Sequence, residues 1–193
     1  MSEGKPSDWP QFAGWHYRSH NLPFVRRVEL LWHADRAIGI CVFGSPAMAL
    51  TARSKFFGLG GRLTSAKLGL LNQQVVCLSR VVLHPTYRGA GIAAAFIRRA
   101  CERCAWPWVE CVAEMGRVNP VFERAGFVRL GECGGARSRA GHSAIYCGSV
   151  RRRRGAASKL ITAETHAKSE HARPVYYLFD NRAAFAQKNT TPE

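Results

Sequence analysis

The segment HPTYRGAGIAAA (84–95) brings together residue types that bind anions: one arginine, two glycines and a run of alanines. It lies between an apolar run typical of a β-strand and a pattern typical of a helix. Gly89 and Gly91 permit a tight turn, because a Cβ there would block an anion or require a costly positive φ. Amide groups at a helix start, together with the helix dipole, attract negative charge. The segment therefore predicts a phosphate site, in which Arg88 either contacts the anion or positions the turn.

The spacing of this turn differs from that of common nucleotide-binding loops. No Gly-Lys-Ser or Gly-Lys-Thr step follows, as in a Walker loop, and there is no three-glycine dinucleotide fingerprint. The turn instead resembles the signature of the Gcn5-related N-acetyltransferase (GNAT) family, which is Gln or Arg, two residues, Gly, one residue, then Gly or Ala. In this chain these places hold Arg88, Gly91 and Ala93. The later stretch NPVFERAGF (119–127) resembles the family's second motif, an Asn followed by a Gly-Phe step.

The resemblance covers residues 74–130 well and the hairpin at 24–45 by topology only. It implies an α/β fold of mixed α+β type, in which a splayed, mixed central sheet carries helices on both faces. It also implies acetyl-coenzyme A, or another acyl-coenzyme A, as cofactor, with its pyrophosphate on the loop amides and its pantetheine arm along a strand edge. The residues implied to bind the coenzyme are Val81, Val82, Leu83, Arg88, Gly89, Ala90, Gly91, Ile92, Ala93 and Asn119.

Acyl transfer to an amine needs a base, an oxyanion donor and a proton for the leaving thiolate. Members of the family often supply a Glu base from a central strand and a Tyr acid from the second motif, where this chain has Phe122. Strand alternation predicts Glu110 and Glu114 on one face and Cys111 on the other. Glu110 is the first choice as base and Glu114 the second, and the alternative is a paired structural carboxylate. The thiolate leaves unprotonated, or its proton comes from water or from Cys111, Ser79 or Tyr87.

A strong positive charge suggests what carries the acceptor amine. Lys and Arg number 28 against 13 Asp and Glu, a formal charge of +15, and such a field attracts polyanions. We therefore expect nucleic acid, DNA rather than RNA, as a partner. The expected acceptor is an amino group on a nucleic-acid base. The family resemblance implies that the acceptor enters from the opposite face of the splayed sheet. Substrate contacts are predicted for a set of aromatic and basic residues: His16, Tyr17, Arg18, His20, Arg26, Arg27, Arg151 and Arg152.

The charge and the motifs are also compatible with different functions. A basic composition bias on a solvated surface, or a site for an anionic cofactor, would equally produce the excess of arginine. The layout resembles, more distantly, GNAT-like enzymes that modify nucleobases, among them phage DNA-modifying proteins and acyltransferase modules fused to ATPases. The alternative functions are acetylation of a small-molecule amine or a protein lysine, and a nucleic-acid-binding module with a degenerate coenzyme site, as Phe122 suggests.

Histidine and cysteine spacings raise the question of a metal site. His16 and His20 stand at i and i+4, so on a helix they would share one face. Cys101 and Cys104 form a C-x-x-C, but no second such pair follows among the seven cysteines. We expect reduced, buried thiols and no bound metal, with the two histidines either lining a substrate pocket or lying on a surface helix.

Hydrophobic periodicity predicts the elements that position these residues. Strands are expected at 24–32, 37–45, 74–84, 107–114, 127–132 and 174–180, and helices at 12–20, 47–59, 89–104 and 119–126. The first two strands form a hairpin with the four-residue turn HADR. In the helix that follows the glycine turn, the apolar face is predicted to hold Ile92, Ala95, Phe96 and Ala100.

The chain length favours one domain, 1–183, followed by a flexible tail at 184–193. The sequence has no apolar run long enough to cross a bilayer, and its start lacks the core of a signal peptide. We therefore predict a cytoplasmic protein without membrane contact, in the host cytoplasm if it is phage-encoded. A monomer and a homodimer are both compatible with the sequence.

Overall fold

A computed structural model describes residues 1–16, 22, 24–61, 64–133 and 174–190 of the chain. The strands in these ranges are β1 (Ser2–Glu3), β2 (Val25–His33), β3 (Arg36–Gly44), β4 (Val75–Leu83), β5 (Trp108–Ala113), β6 (Val128–Glu132) and β7 (Val175–Asp180). The helices are α1 (Pro10–Ala13), α2 (Thr51–Phe56), α3 (Ser65–Gln74), α4 (Ile92–Glu102), α5 (Val121–Arg124) and α6 (Arg182–Thr190).

The described strands form one mixed sheet in the order β1-β2-β3-β4-β5-β7-β6. β4 and β5 run parallel, and the other neighbours run antiparallel. Helices pack on both faces, because α4 and α5 contribute to one apolar cluster and α1 to another. The predicted fold class, a mixed α/β domain with a mixed central sheet, is confirmed.

The predicted hairpin is confirmed as β2 and β3, with a turn tighter than the four residues expected. His33 pairs with Arg36, so the turn consists of Ala34 and Asp35, and Ala34 has a φ of 48°. β3 is buried from Ile38 to its end. It therefore lies inside the sheet, between β2 and β4.

The two apolar clusters account for the nearly continuous Val and Leu of β4, since both of its faces are covered. On one face, α4 contributes Phe96, Ile97 and Ala100. Ala95, which the periodicity placed on the same face, is exposed, because α4 starts at Ile92 and its buried stripe passes through Ile97 and Cys101 instead. On the other face, Phe12 of α1 packs against the inner residues of β2, β3 and β4.

The connection from β3 to β4 contains two helices, of which the sequence predicted one. α2 is shorter than the expected 47–59, and Gly58, at a φ of 62°, follows its end. α3 was missed because only Leu71 is buried along it, so its leucines show no amphipathic pattern. Thr64 caps α3 by accepting a hydrogen bond from the Lys67 amide (3.3 Å).

The C-terminal strand is confirmed, and a helix follows it where a flexible tail was expected. Residues 184–190 belong to α6, so the tail prediction is wrong over that range. Asp180 Oδ1 accepts a hydrogen bond from the Arg182 amide (3.1 Å), and Lys188 Nζ donates to the carbonyl oxygens of Glu102 and Cys104. These contacts attach α6 to the rest of the domain. In the described ranges, no helix combines the length and apolarity needed to span a bilayer.

Candidate active site

A cleft opens in the sheet where β4 and β5 part. In the described chain the two strands pair over residues 75–77 and 108–110 and no further. Directly beyond, the register of β4 against β3 shifts between Val42 and Phe43, which makes Ser79 of β4 a bulge. Ser79 Oγ donates to the Val42 carbonyl (2.9 Å) and holds the bulge in place. Because a bulge bends and twists its strand, the splay implied by the family resemblance has a local cause.

The edge of β4 that faces the cleft is polar backbone. The His84 amide donates to the Ile38 carbonyl (2.7 Å), so alternation turns the backbone of Val82 toward β3 and that of Val81 and Leu83 toward the cleft. Of the three residues predicted to line the pantetheine arm, Val81 and Leu83 thus offer backbone hydrogen-bonding groups. Val82 instead packs its side chain in the apolar cluster under α1.

The glycine turn joins this edge to α4. Gly89 and Gly91 have φ values of 84° and 76°, and Gly91 is the N-cap of α4 without any side-chain cap. The first amides of a helix have no acceptor inside it, so those from Ile92 onward face outward from the turn. A Cβ on either glycine would meet no atom within 4 Å. Glycine is therefore required by backbone conformation and not by crowding within the protein.

Arg88 positions the turn. Its Nε donates to the Leu83 carbonyl (3.1 Å) and its Nη2 to the Trp15 carbonyl (3.0 Å). Desolvation lowers the pKa of this guanidinium. Of the two roles predicted for Arg88, these contacts favour holding the loop against β4 and the N-terminal segment.

Two histidines that the sequence did not single out support the same turn. His84 Nε2 lies 2.7 Å from Arg36 Nη2, and its ring packs edge-on against Trp15 at 4.6 Å. Desolvation lowers the pKa of His84, and the positive charges of Arg36 and Arg88 lower it further. His33 Nδ1 shares a hydrogen bond of 2.6 Å with the hydroxyl of Tyr87.

The second motif builds α5. Asn119 Oδ1 accepts a hydrogen bond from the Val121 amide (3.1 Å), so its side chain caps this short helix. The Phe122 ring lies 5.4 Å from that of Tyr177 on β7, whose buried hydroxyl is 2.9 Å from the Gly116 carbonyl. Burial raises the pKa of Tyr177, and its hydrogen bond with Glu123 adds to the increase. Phe122 is thus one of a packed aromatic pair, and its side chain carries no proton that it could donate.

Glu110 is buried at the end of the paired part of β5, on the face opposite α4. Arg53 Nη1 donates to both of its carboxylate oxygens (3.0 and 3.2 Å), and the Tyr176 hydroxyl donates to Oε2 (3.1 Å). Burial raises the pKa of Glu110 above its ordinary value, and the charge and hydrogen bond of Arg53 and the hydrogen bonds of Tyr176 and of the Ala47 backbone offset only part of that increase. Neither Arg53 nor Tyr176 was predicted, because no local pattern links residues 57 and 66 positions apart.

Cys111 and Glu114 differ from Glu110 in their surroundings. Cys111 is buried in the cluster under α4, on the face opposite Glu110, as alternation predicted. Glu114 does not share the strand face with Glu110, because β5 ends at Ala113 and Glu114 starts a 3-10 turn. The alternation argument therefore fails for Glu114.

The residues predicted to contact the acceptor are dispersed where they are described. His16 is buried with its ring 5.7 Å from Trp9, Arg26 lies over Trp106 at 5.4 Å, and Arg27 bonds Glu29 (2.6 Å). Both arginines are on β2, which β3 separates from β4. The remaining predicted contacts lie outside the described residues: Tyr17, Arg18, His20, Arg151 and Arg152.

The cysteines of the C-x-x-C are both buried. Burial raises the pKa of Cys101 and of Cys104, which keeps the thiols protonated. Within the described ranges, no three His, Cys, Asp or Glu side chains are grouped so that they could hold a metal ion.

A cavity of about 720 Å³ lies apart from the cleft, between the N-terminal segment and the hairpin. Trp15, Trp32 and Asp35 are among its lining residues. No residue of the glycine turn or of the paired ends of β4 and β5 lines it.

Comparison with known proteins adds little beyond the fold. No family model and no curated protein matches the sequence. A crystal structure described as histone acetyltransferase HPA2 and related acetyltransferase from Corynebacterium glutamicum is similar to the chain, with a TM-score of 0.41 and 14% sequence identity. The match covers 80% of this chain and 64% of that chain, so this chain spans less than two thirds of its length. The chemistry of this chain therefore has to follow from its own cleft and loop.

Proposed function

We propose that the chain is an N-acyltransferase that uses acetyl-coenzyme A or another acyl-coenzyme A. One observation carries this proposal: the sheet opens at the Ser79 bulge, and the opening leads to a left-handed glycine turn at the uncapped start of α4. An uncapped helix start suits a pyrophosphate, and a strand edge whose backbone groups face the opening suits an amide-containing arm. These two features fit the two chemically different parts of an acyl-coenzyme A.

The coenzyme would supply an acyl group activated as a thioester. The chain's contribution is to bind and orient it, through the amides from Gly89 to Ala93 and the backbone of Val81 and Leu83. The Arg88 amide, predicted to belong to the same set, instead donates to the Pro85 carbonyl (3.1 Å). Glu110 is the first candidate to take the proton from the attacking nitrogen, and Glu114 remains the second. Ser79 already donates its hydroxyl proton to the Val42 carbonyl, so it is a weaker candidate acid than water.

The proposed acceptor is an amino group on a nucleic-acid base, with DNA favoured over RNA. The formal charge of +15 supports a polyanionic partner. Three arginines have buried carboxylate partners, because Arg27 and Arg103 bind Glu29 and Arg53 binds Glu110. The surface available for phosphates is correspondingly smaller than the composition suggests.

Binding of acetyl-coenzyme A tests the coenzyme site. A ligand that binds only the folded state stabilises it, by about 2.7 kcal/mol at 100 times its Kd. We expect acetyl-coenzyme A to raise the midpoint of thermal unfolding, and coenzyme A without the acyl group to do the same. No shift at millimolar ligand would favour the alternative of a nucleic-acid-binding module with a degenerate coenzyme site, to which the apolar packing of Phe122 points.

The acceptor is tested separately. Mass spectrometry of nucleosides from cells with and without the protein identifies an acylated base directly. A new acylated nucleoside is expected under the proposal. Acylated lysine or a small acylated amine in its place would assign the chain to the other acceptor classes.

A further inference from the structure

A buried ionic cluster closes the narrow end of the cleft. Cys77 and Glu110 are the last residues at which β4 and β5 still pair. Side chains at paired positions of neighbouring parallel strands point to the same face, so Cys77 lies beside Glu110. Glu110 is therefore at the point where the two strands begin to separate, on the face opposite α4.

Arg53 reaches Glu110 from the connection between β3 and β4. Neighbouring antiparallel strands can be joined by hairpins of two to five residues, but here α2 and α3 intervene. Arg53 is only 2% exposed, and its Nη2 donates to the carbonyls of Ala47 (2.6 Å) and Met48 (3.1 Å) while Nη1 bonds Glu110. The connection thus folds around this guanidinium and delivers it to the closed end of the cleft.

The charged and titratable groups that face Glu110 come from three elements, and the backbone of Ala47, in the segment before α2, hydrogen-bonds it as well. α2 contributes the Arg53 guanidinium, β7 the Tyr176 hydroxyl and β4 the Cys77 thiol. A carboxylate buried without them would take up a proton and lose its capacity as a base. With these groups present, burial raises the pKa of the Glu110 carboxyl group and the positive charge of Arg53 lowers it.

One atom of the cluster is unusual for a purely structural ion pair. Arg53 Nε is buried and has no hydrogen-bond acceptor among the described residues. Buried donors almost always find an acceptor, so an exception needs a physical reason. A donor left open beside a base is consistent with a site that receives a further polar group.

We infer that Arg53 and Tyr176 are positioning residues, which hold Glu110 ionised and oriented at the closed end of the cleft so that it can deprotonate the acceptor amine. The inference rests on the proposed function, since it names the base of that reaction. In the step concerned, the nitrogen–hydrogen bond of the amine breaks, its proton passes to a Glu110 oxygen, and its electron pair remains on nitrogen for attack on the acyl carbon. Arg53 acts on this step through Glu110, whose two carboxylate oxygens it holds by hydrogen bonds.

The test measures coenzyme A release from acetyl-coenzyme A against pH, with single-stranded DNA as acceptor and with water alone. In Arg53→Met we expect the acidic limb of the profile to move to higher pH and the rate at neutral pH to fall about tenfold. Arg53→Lys restores the charge and should return the limb toward that of the unchanged protein. Glu110→Gln should remove the limb. The matched control is Lys55→Met, an exposed position on the same helix, which should leave the profile unchanged.

Tyr176→Phe is a second variant, which tests the inference if Arg53→Met does not fold. It removes one hydrogen bond and should move the limb in the same direction by a smaller amount. Acetyl-coenzyme A binding, measured by calorimetry on each folded variant, separates the coenzyme site from the base. Two results would overturn the inference while supporting the coenzyme site. In the first, the variants bind acetyl-coenzyme A but the acidic limb of the pH profile does not move. In the second, acetyl-coenzyme A binds but no coenzyme A is released with either DNA or water. Absence of binding in the unchanged protein would overturn the proposed function, and the inference with it.

Discussion

Gly91 is the residue from which α4 starts, and replacing it by alanine isolates what the glycine turn does. Its φ is 76°, and an added Cβ would meet no atom within 4 Å. Alanine there thus introduces conformational strain without a clash. Left-handed backbone costs an L-residue about 1 to 2 kcal/mol, so Gly91→Ala should lower the free energy of unfolding by this amount.

The chain offers a matched control at the end of α2. Gly58 has a φ of 62° and, like Gly91, open space where a Cβ would lie. Gly58→Ala should therefore destabilise the fold by a similar amount. Because the two variants carry similar backbone strain, a difference in ligand affinity between them comes from the position of the glycine in the structure.

Coenzyme binding should distinguish the two variants. A relaxed turn in Gly91→Ala turns the amides away from a bound pyrophosphate, and a Cβ at the turn narrows the space for it. We expect the Kd for acetyl-coenzyme A to rise at least about tenfold, which corresponds to roughly 1.4 kcal/mol. Urea denaturation measures the stabilities and calorimetry the affinities. Equal affinities in Gly91→Ala, Gly58→Ala and the unchanged protein would refute the placement of the coenzyme on this turn.

Three further perturbations test other parts of the structure. Gly116→Ala would place a Cβ 2.8 Å from Cε2 of the buried Tyr177 ring, so we expect the free energy of unfolding, measured by urea denaturation, to fall by about 1 to 3 kcal/mol. The control is Gly14→Ala, whose Cβ would meet no atom within 4 Å and which should leave the free energy of unfolding unchanged. Because the pKa of His84 is lowered in the folded chain, the unfolded chain binds more protons than the folded chain at pH values between that pKa and 6.5. The free energy of unfolding should therefore fall as the pH is lowered through this window, and His84→Gln should make that fall smaller. Changing the arginines at 151–154 to alanine should weaken oligonucleotide binding and reduce its dependence on salt, and an unchanged salt slope would contradict a role for them.

Three predictions failed, each for a physical reason that local sequence patterns do not carry. α3 buries only Leu71, so its sequence lacks the periodicity that identifies a helix. α6 is attached by Lys188 to carbonyl groups at the end of α4, contacts that span more than 80 residues. Glu114 leaves the strand face because β5 ends one residue earlier, and strand ends are set by pairing with β7 rather than by alternation.

The glycine turn and most of the strands and helices around it could be predicted from the residues alone. The glycine turn depends on residues a few positions apart, Gly89, Gly91 and the small residues after them. Backbone sterics and helix capping are therefore enough to predict a tight turn before a helix from the sequence. Which side chains meet at the closed end of the cleft follows from how the folded chain packs. Arg53 and Tyr176 reach Glu110 across 57 and 66 positions, through a long connection and a returning strand. Contacts of that kind depend on how sheet and helices pack, and a single sequence carries no local signal for them.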